Sequence, residues 1–277
     1  MTRLVSLPAA IERELDGGAA LVISISGGKD SQAMAIALGE LHRSRGWTGE
    51  LVAVHADLGS VEWAGTLDQV ERIAQLAGAR LKVVRRADGR GMLEHWQARG
   101  EALQGTGKPF WSSSAQRYCT SDLKRDPIDT FLRTFEHVVC AVGLRAQEST
   151  ARAKQPAWSV RSRITTRTRR AFTWHPILDW TLLDVLRECG HTWGELLRRR
   201  EAYQAGDLAA ALDGWTLHQA YVFGNERLSC QFCVLGSVND LQNGARHNPE
   251  LLGKLIELED RYGATFQHGR SLRTFAA

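Results

Sequence analysis

The sequence contains no uninterrupted apolar run that approaches the length of a membrane-spanning helix. It also lacks the pattern of a secretory signal peptide, because its first twenty residues include Glu12, Glu14 and Asp16 and no long apolar core. Both absences argue against a secreted or membrane-inserted protein. We therefore expect a cytoplasmic protein that has no membrane partner.

Cysteine is scarce, and its number is odd, with five residues in a chain of 277. Without an export signal, an odd number argues against a framework of disulfide bonds. The net charge of +4 is mild and does not by itself indicate a nucleic-acid partner. The hydrophobic fraction of 43% and the charged fraction of 24% are typical of a globular enzyme.

The sequence has no Walker A loop, in which the glycines are more widely spaced before Lys-Ser/Thr. It does contain Ser26-Gly-Gly-Lys-Asp-Ser31 between a short apolar run and a helical pattern. The pattern predicts a buried strand, a tight turn and a helix. Backbone N–H groups at a helix N-terminus attract anions, and Lys29 adds a full positive charge. These six residues therefore predict a pyrophosphate site rather than a plain strand–helix turn.

Further apolar runs predict strands at residues 51–56, 81–84 and 138–142, and helical patterns separate them. Strands that alternate with helices over short connections favour an α/β fold, with an open, mainly parallel twisted sheet and helices on both faces. We expect this nucleotide-binding domain over residues 1–180. A helical C-terminal region over residues 181–277, with a Cys-x-x-Cys loop, is expected to pack on it.

Ligands of an open parallel sheet bind beyond the carboxyl ends of its strands. His55 and Asp57 follow the second predicted strand, and Gly143, Arg145 and Glu148 follow the fourth. Arginine binds phosphate oxygens in a bidentate manner, and a glutamate orients such an arginine or holds Mg²⁺. The alternatives are a hydrogen-bonded core position for the histidine and a surface salt bridge for the arginine.

Residues 152–170 contain seven arginine and lysine side chains and no acidic residue. A block of like charge is most often a solvated, mobile segment, although a flap over a phosphate site also fits this position. Trp158, Phe172 and Trp174 lie in or beside the block and suit stacking on bases, so contact with a nucleic-acid acceptor is a hypothesis. Residues 195–220 are expected to form a helical insertion with a solvated face.

Three of these segments resemble known families. Ser26–Ser31 resembles the PP-loop of the adenine nucleotide α-hydrolase-like ATP pyrophosphatases, which holds the outer two phosphates of ATP. Gly143-Leu-Arg-Ala-Gln-Glu-Ser149 resembles a second segment of that superfamily. Trp174-His-Pro-Ile-Leu-Asp-Trp180 resembles a segment of the phosphoadenylyl-sulfate (PAPS) reductase-like family, which includes the ATPase subunit of DNA phosphorothioation systems.

The resemblance implies an adenine nucleotide, ATP or PAPS, together with Mg²⁺. It implies catalytic roles for Lys29, Asp30 and Arg145. It implies nucleotide contacts at Ser26, Gly27, Gly28, Lys29, Asp30, Ser31, His55, Asp57, Gly143, Arg145 and Glu148.

The cysteine segments also resemble the PAPS reductase-like group. Cys119 lies in Arg-Tyr-Cys-Thr, and Cys230 and Cys233 form a Cys-x-x-Cys pair. In related sulfur-handling enzymes such cysteines ligate a [4Fe–4S] cluster. Three alternatives stay open: this cluster with an open iron site, a structural zinc with His247 as its fourth ligand, and plain buried thiols.

Two features favour ATP chemistry over reduction. The phosphate loop is intact, whereas sulfonucleotide reductases carry a degraded one. The sequence also ends without the Glu-Cys-Gly-x-His tail of those reductases, and Glu188-Cys-Gly-His191 lacks its spacer residue. We expect an enzyme that adenylates an acceptor for sulfur transfer. The alternatives are a thiol-dependent PAPS reductase and a nucleotide- and cluster-binding regulatory subunit without turnover. A homodimer and a subunit of a modification complex are both open as the state in which the protein acts.

Overall fold

The structure is a computed structural model that describes residues 5–276. Its sheet contains β1 (Ala20–Ser24), β2 (Leu51–Ala56), β3 (Arg80–Val84), β4 (His137–Val142), β5 (Trp158–Val160) and β6 (Arg170–Trp174). The strand order is β3-β2-β1-β4-β6-β5. β1 is parallel to both β2 and β4, β4 is parallel to β6, and the edge strand β5 is antiparallel to β6. The predicted α/β fold with a mainly parallel sheet is confirmed.

The helices are α1 (Ala9–Asp16), α2 (Lys29–Arg45), α3 (Thr66–Ala77), α4 (Met92–Leu103), α5 (Tyr118–Thr120), α6 (Asp126–Leu132), α7 (Thr150–Ala153), α8 (Leu182–Glu188), α9 (Trp193–Gln204), α10 (Leu208–Leu212), α11 (Val238–His247) and α12 (Pro249–Tyr262). A π-helical turn, Ser121–Arg125, joins α5 to α6. In the part of the chain that the structure describes, no helix combines the length and the apolar character that crossing a membrane requires.

The two central strands, β1 and β4, have apolar sequences, and neighbouring strands and helices bury them. Leu21, Val22 and Ile23 of β1 are fully buried, and Val22 lies beside Cys140 of β4. Cys140 is 1% exposed, so it occupies a core position as a small apolar side chain. Burial on both faces explains the continuous apolar runs in the sequence.

The contacts between residues divide the chain into two compact units. The first contains the described residues through His55, Gly65–Val84 and Ile128–Val222, and it includes the parallel strands with α2, α8 and α9. The second contains Ala56–Ala64, Arg85–Pro127 and the described residues from Phe223 onward.

An aromatic and aliphatic core stabilises the second unit. The rings of Trp96 and Trp111 lie 5.1 Å apart, and Phe110, Phe232 and Leu255 are fully buried beside them. The predicted domain boundary at residue 180 stays a prediction.

Candidate functional site

The side chain of one serine forms hydrogen bonds within the loop between β1 and α2. Ser31 Oγ donates a hydrogen bond to the Gly28 carbonyl at 2.8 Å and accepts the Ser26 N–H at 3.2 Å. Gly27 has φ +75°, a conformation that favours glycine because other residues clash there. The chain therefore enters α2 through a compact turn, and the N-terminus of a helix suits a bound anion.

A buried group of three charges lies at the start of α2. Lys29 and Arg145 are each only 5% exposed. Lys29 Nζ lies 3.0 Å from Asp30 Oδ2, and the Arg145 guanidinium bonds to the other oxygen of the same carboxylate. Two cations and one anion leave one net positive charge at the N-terminus of the helix. The structure thus brings together all three predicted catalytic residues.

The neighbours of each group keep this set ionised. Burial opposes ionisation of Asp30, but Lys29 and Arg145 outweigh it and lower the pKa of the carboxyl below its usual value. Burial also opposes the charge on Lys29, but Tyr221 and Asp30 outweigh it and raise the pKa of the ammonium. Arginine stays protonated in proteins. The net positive charge therefore persists at neutral pH.

The segment after β4 holds Arg145 in place. Its Nη1 donates to Gln147 Oε1 at 2.8 Å, and the same oxygen accepts the Leu182 N–H at the start of α8. The backbone N–H of Arg145 donates to Glu148 Oε2 at 3.2 Å, and that carboxylate also pairs with Arg152. Glu148 therefore organises the segment that carries Arg145, and its role toward Mg²⁺ stays a prediction.

Gly143 allows the end of β4 to approach the first turn of α2. A Cβ atom at this position would lie 3.2 Å from the Asp30 carbonyl oxygen and 3.3 Å from the Ser31 nitrogen. Both neighbours are backbone atoms, which move less easily than a side chain. The absence of a side chain therefore lets Arg145 reach Asp30.

His55 and Asp57 have local structural partners. His55 is 2% exposed, and its ring Nδ1 lies 3.2 Å from the Ile25 carbonyl, so it ties the end of β2 to the end of β1. Asp57, which belongs to the second unit, accepts the Gly59 N–H at 2.7 Å and pairs with Arg85. Their contacts with a nucleotide stay predictions.

Four of the seven basic side chains in the block at residues 152–170 form ion pairs with three carboxylates. Ion pairs join Arg152 to Glu148, Arg161 and Arg163 to Asp129, and Arg170 to Glu14. The block also includes β5 and reaches β6, so part of it is sheet rather than a mobile segment. The contact with a nucleic acid stays a prediction.

One of the aromatic residues proposed for base stacking is unsuited to that role. Trp174 is fully buried, and its indole N–H donates to the Ser6 carbonyl at 2.8 Å. The expectation that it stacks on bases was wrong, because it is a core residue of β6. The centroids of the Trp158 and Phe172 rings lie 6.0 Å apart, and the ring planes are tilted by 57°.

The three predicted metal-binding cysteines share one environment in the second unit. All five cysteines are free thiols, and Cys119, Cys230 and Cys233 are half-buried. Burial raises the pKa of Cys230 to about 12, and the thiols of Cys233 and Cys119 add to that shift while Lys124 opposes it. Proximity of the three thiols suits a sulfur-ligated metal.

Their arrangement, however, is not that of a metal site. Among residues 5–276, no three or more His, Cys, Asp or Glu side chains are arranged to hold a metal ion. His247, the fourth ligand of the zinc alternative, stacks on Phe223 with ring centroids 4.0 Å apart. The side chains as placed fit neither a cluster nor a zinc ion, and the metal at these cysteines stays a prediction.

Cys189 belongs to Glu188-Cys-Gly-His191, the segment that resembles a reductase tail, and it lies behind the phosphate loop. It is 8% exposed, and its thiol lies 3.7 Å from the Lys29 carbonyl oxygen. Burial, with a further contribution from Glu188, raises the pKa of this thiol far above its usual value. It is therefore a protonated core residue at neutral pH.

The residues that support the loop from behind could not be identified from the sequence. Tyr221, Thr216 and Gln69 contact α2 although they lie far from it in the chain. No local motif marks them, because each is an ordinary residue type within a helical or irregular segment. A helical insertion with a solvated face was the expectation for residues 195–220, and Thr216 shows that part of this stretch faces inward.

Comparison with known proteins agrees with this architecture. Residues 20–188 match the sequence model of the phosphoadenosine phosphosulfate reductase domain, which is more than half of the chain. The chain belongs to this family. Membership of this reductase family supports an enzyme without defining the reaction.

Two proteins that are similar to this chain in sequence are described as uncharacterized. An uncharacterized 37.8 kDa protein of Escherichia phage 186 is 26% identical over 289 residues, which cover 90% of this chain and 77% of the relative. An uncharacterized protein of Methanocaldococcus jannaschii is 24% identical over 244 residues, which cover 88% of this chain but only 48% of that protein. This chain thus spans about half the length of the archaeal relative.

A solved structure also shows similarity. The U34-tRNA thiolase of Methanococcus maripaludis with its [4Fe–4S] cluster is 13% identical, with a TM-score of 0.47, over 93% of this chain and 73% of that one.

Proposed function

We propose that the protein is an ATP pyrophosphatase that transfers adenylate to an acceptor and so prepares it for sulfur transfer. The observation that supports this most is the buried set of Lys29, Asp30 and Arg145 at the N-terminus of α2. A net positive charge beside helix N–H groups suits the two outer phosphates of ATP. A site that held only a sulfonucleotide would have no pyrophosphate for this loop to bind.

In the proposed reaction, the outer phosphates bind residues 26–31 and an acceptor oxygen attacks the α-phosphorus. The bond between that phosphorus and the bridging oxygen to the β-phosphate breaks, and pyrophosphate leaves. Lys29 and Arg145 stabilise the negative charge that develops on the leaving group, which is the main contribution of protein groups in such transfers. The acceptor then carries AMP on its oxygen.

Asp30 orients the two cations in this proposal. Both of its carboxylate oxygens are engaged, one by Lys29 and one by Arg145. This engagement fits an orienting role more closely than direct ligation of a metal. Mg²⁺, when it accompanies ATP, supplies additional charge neutralisation at the phosphates.

The second step replaces the activated oxygen with sulfur. A sulfur nucleophile attacks the acceptor atom that bears the adenylated oxygen, that bond breaks, and AMP leaves with the oxygen. The step needs sulfide as a co-substrate, and because sulfide already has the oxidation state of the sulfur in the product, no reductant is required. No part of it depends on a cluster at the three cysteines.

The environment of the cysteines in the first unit argues against the alternative of a thiol-dependent reductase. Its described cysteines are Cys140 and Cys189, and burial raises the pKa of both thiols. A thiolate, rather than a thiol, is the nucleophile in such chemistry. Neither residue is therefore suited to attack a sulfonucleotide.

The experiment is an anaerobic turnover assay with α-labelled ATP, Mg²⁺, sulfide and either tRNA, DNA or a small-molecule acceptor. We expect acceptor-dependent release of pyrophosphate and AMP that Lys29→Ala abolishes. Lys254→Ala is the matched control, because Lys254 is an exposed lysine that pairs with its helical neighbour Glu250. Release of sulfite from PAPS would favour the reductase instead, and ATP binding without pyrophosphate release would favour the regulatory subunit.

A further inference from the structure

A buried polar network connects α2 and α3 to the segment after α10. The Thr216 carbonyl accepts hydrogen bonds from Gln69 Nε2 at 2.9 Å and Gln32 Nε2 at 3.4 Å. Gln69 Nε2 also donates to Gln32 Oε1 at 2.6 Å. Gln32 is only three residues beyond Lys29 on α2. The network therefore fixes the irregular segment 215–218 against the first turns of the helix that carries the phosphate loop.

A histidine ties the same segment to α9. His191 Nδ1 lies 3.0 Å from Glu195 Oε2, and His191 Nε2 lies 2.7 Å from Thr216 Oγ1. The His191 ring also packs on Trp215, with centroids 4.3 Å apart. Because His191, Gln32 and Gln69 are each less than 7% exposed, the network is shielded from water.

The segment places Tyr221 directly against the phosphate loop. Its hydroxyl oxygen accepts the backbone N–H of Lys29 at 3.0 Å, across 192 positions of sequence. The centroid of its ring lies 5.0 Å from Lys29 Nζ. Its own carbonyl accepts the Arg200 Nε–H at 2.9 Å, which anchors the tyrosine to α9. Tyr221 is 2% exposed and so has little freedom to move.

We propose that Tyr221 is a positioning residue for the phosphate loop. Its hydroxyl holds the first backbone N–H of α2, and the face of its ring holds the Lys29 ammonium. Both contacts act on Lys29, so the tyrosine fixes the position of the loop backbone and of the Lys29 charge before the pyrophosphate binds. This inference rests on the proposed function, because it assigns a role at the same site.

The test measures binding of inorganic pyrophosphate and of adenosine to the full-length protein by calorimetry. Loss of one neutral hydrogen bond predicts that Tyr221→Phe weakens pyrophosphate binding about 3- to 10-fold. Tyr221→Leu also removes the ring and is expected to weaken it a further ~3- to 10-fold. Adenosine, which has no phosphate, is expected to bind the variants and the wild type equally.

Tyr262→Phe is the matched control, because the Tyr262 hydroxyl is buried without a hydrogen-bond partner in the described structure. It is expected to leave pyrophosphate binding unchanged. A second measurement needs no ligand: hydrogen exchange at the Lys29 amide is expected to accelerate in Tyr221→Phe and to stay unchanged in Tyr262→Phe.

The outcomes separate this inference from the proposed function. If the wild type binds neither pyrophosphate nor ATP, both are overturned. If the wild type binds pyrophosphate and Tyr221→Phe binds it equally or more tightly, with unchanged amide exchange, only the inference about Tyr221 is overturned. If adenosine binding falls in parallel with pyrophosphate binding, the tyrosine has a general structural role and the inference is again overturned.

Discussion

Replacing Asp30 with asparagine leaves two buried cations without their shared carboxylate. The Lys29 and Arg145 side chains are each 6% exposed, and that of Asp30 is 17% exposed, so water compensates little. Breaking a buried ion pair by removing one partner destabilises a protein by about 3–5 kcal/mol. With about 2.1 cal/mol/K of unfolding entropy per residue, a chain of 277 residues is expected to lose about 5–9 °C in Tm.

The same substitution is expected to strengthen anion binding. It raises the net charge of the group by one unit, and an extra charge about 6 Å from a phosphate, at an effective dielectric constant of about 20–40, favours binding by roughly 10- to 100-fold. Lower stability and tighter binding are thus predicted together. If Asp30 served only to fold the loop, its substitution would lower both the stability of the protein and its affinity for pyrophosphate.

The pH dependence follows from the lowered pKa of Asp30. A carboxyl whose pKa is lower in the folded state contributes stability above its unfolded value of 3.8, and loses it as the pH falls through the folded value. The difference in Tm between the wild type and Asp30→Asn is therefore expected to be constant from pH 8 to pH 5 and to narrow below pH 3.8.

The assay is differential scanning calorimetry together with titration of magnesium-free pyrophosphate. Asp260→Asn is the control, because Asp260 and its partner Arg273 are more than half exposed, and no resolvable change in Tm is expected for it. An Asp30→Asn protein with the Tm and the pyrophosphate affinity of the wild type would refute the reasoning about the charged group.

Three further predictions concern the glycine behind the loop and the cysteines. Gly143→Ala is expected to destabilise the protein by about 1–3 kcal/mol in urea and to weaken ATP binding, because its methyl group would press on the Asp30 backbone. Iodoacetamide at pH 8 is expected to leave Cys140 and Cys189 unmodified in the native protein, because burial raises the pKa of both thiols, and mass spectrometry of peptides checks this. The cluster predicted from the sequence requires the three thiols to rearrange from the positions in the structure; if it forms, anaerobically purified protein contains iron that Cys233→Ser removes, as measured by metal analysis and visible absorption.

Each of these predictions has a clear contrary result. Gly253→Ala is the control for the glycine, since no atom lies within 4 Å of its added Cβ, and a loss of stability as large as that of Gly143→Ala would contradict the steric argument. Modification of Cys189 as fast as that of the half-buried Cys119 would contradict its assignment as a protonated core thiol. Full metal content in Cys233→Ser would count against a metal at the cysteines.

The sequence predicted the loop and Arg145 because their positions follow from local patterns and from the topology of the sheet. Ser26–Ser31 carries its own turn chemistry, and the parallel pairing of β1 with β4 brings Arg145 to the same edge. Tyr221 could not be predicted, because its contact with Lys29 spans 192 positions and depends on the fold of the segment between them.

The basic block shows what composition alone leaves open. A run of arginines does not reveal that Asp129, a buried carboxylate on α6, will pair with Arg161 and Arg163. The aromatic residues in and beside the block likewise do not reveal from the sequence that Trp174 is buried and is not available for stacking. The spacing of the cysteines suggested that they share a site, but it does not determine the side-chain orientations that ligation of a metal requires.

The most direct test of the account is a structure determined with a nonhydrolysable ATP analogue. The account predicts that the two outer phosphates lie within hydrogen-bonding distance of backbone N–H groups of the loop Gly27–Ser31 other than that of Lys29, which Tyr221 holds, and of Lys29 Nζ, with Arg145 beside them. Phosphates bound elsewhere on the protein, with this loop empty, would contradict it.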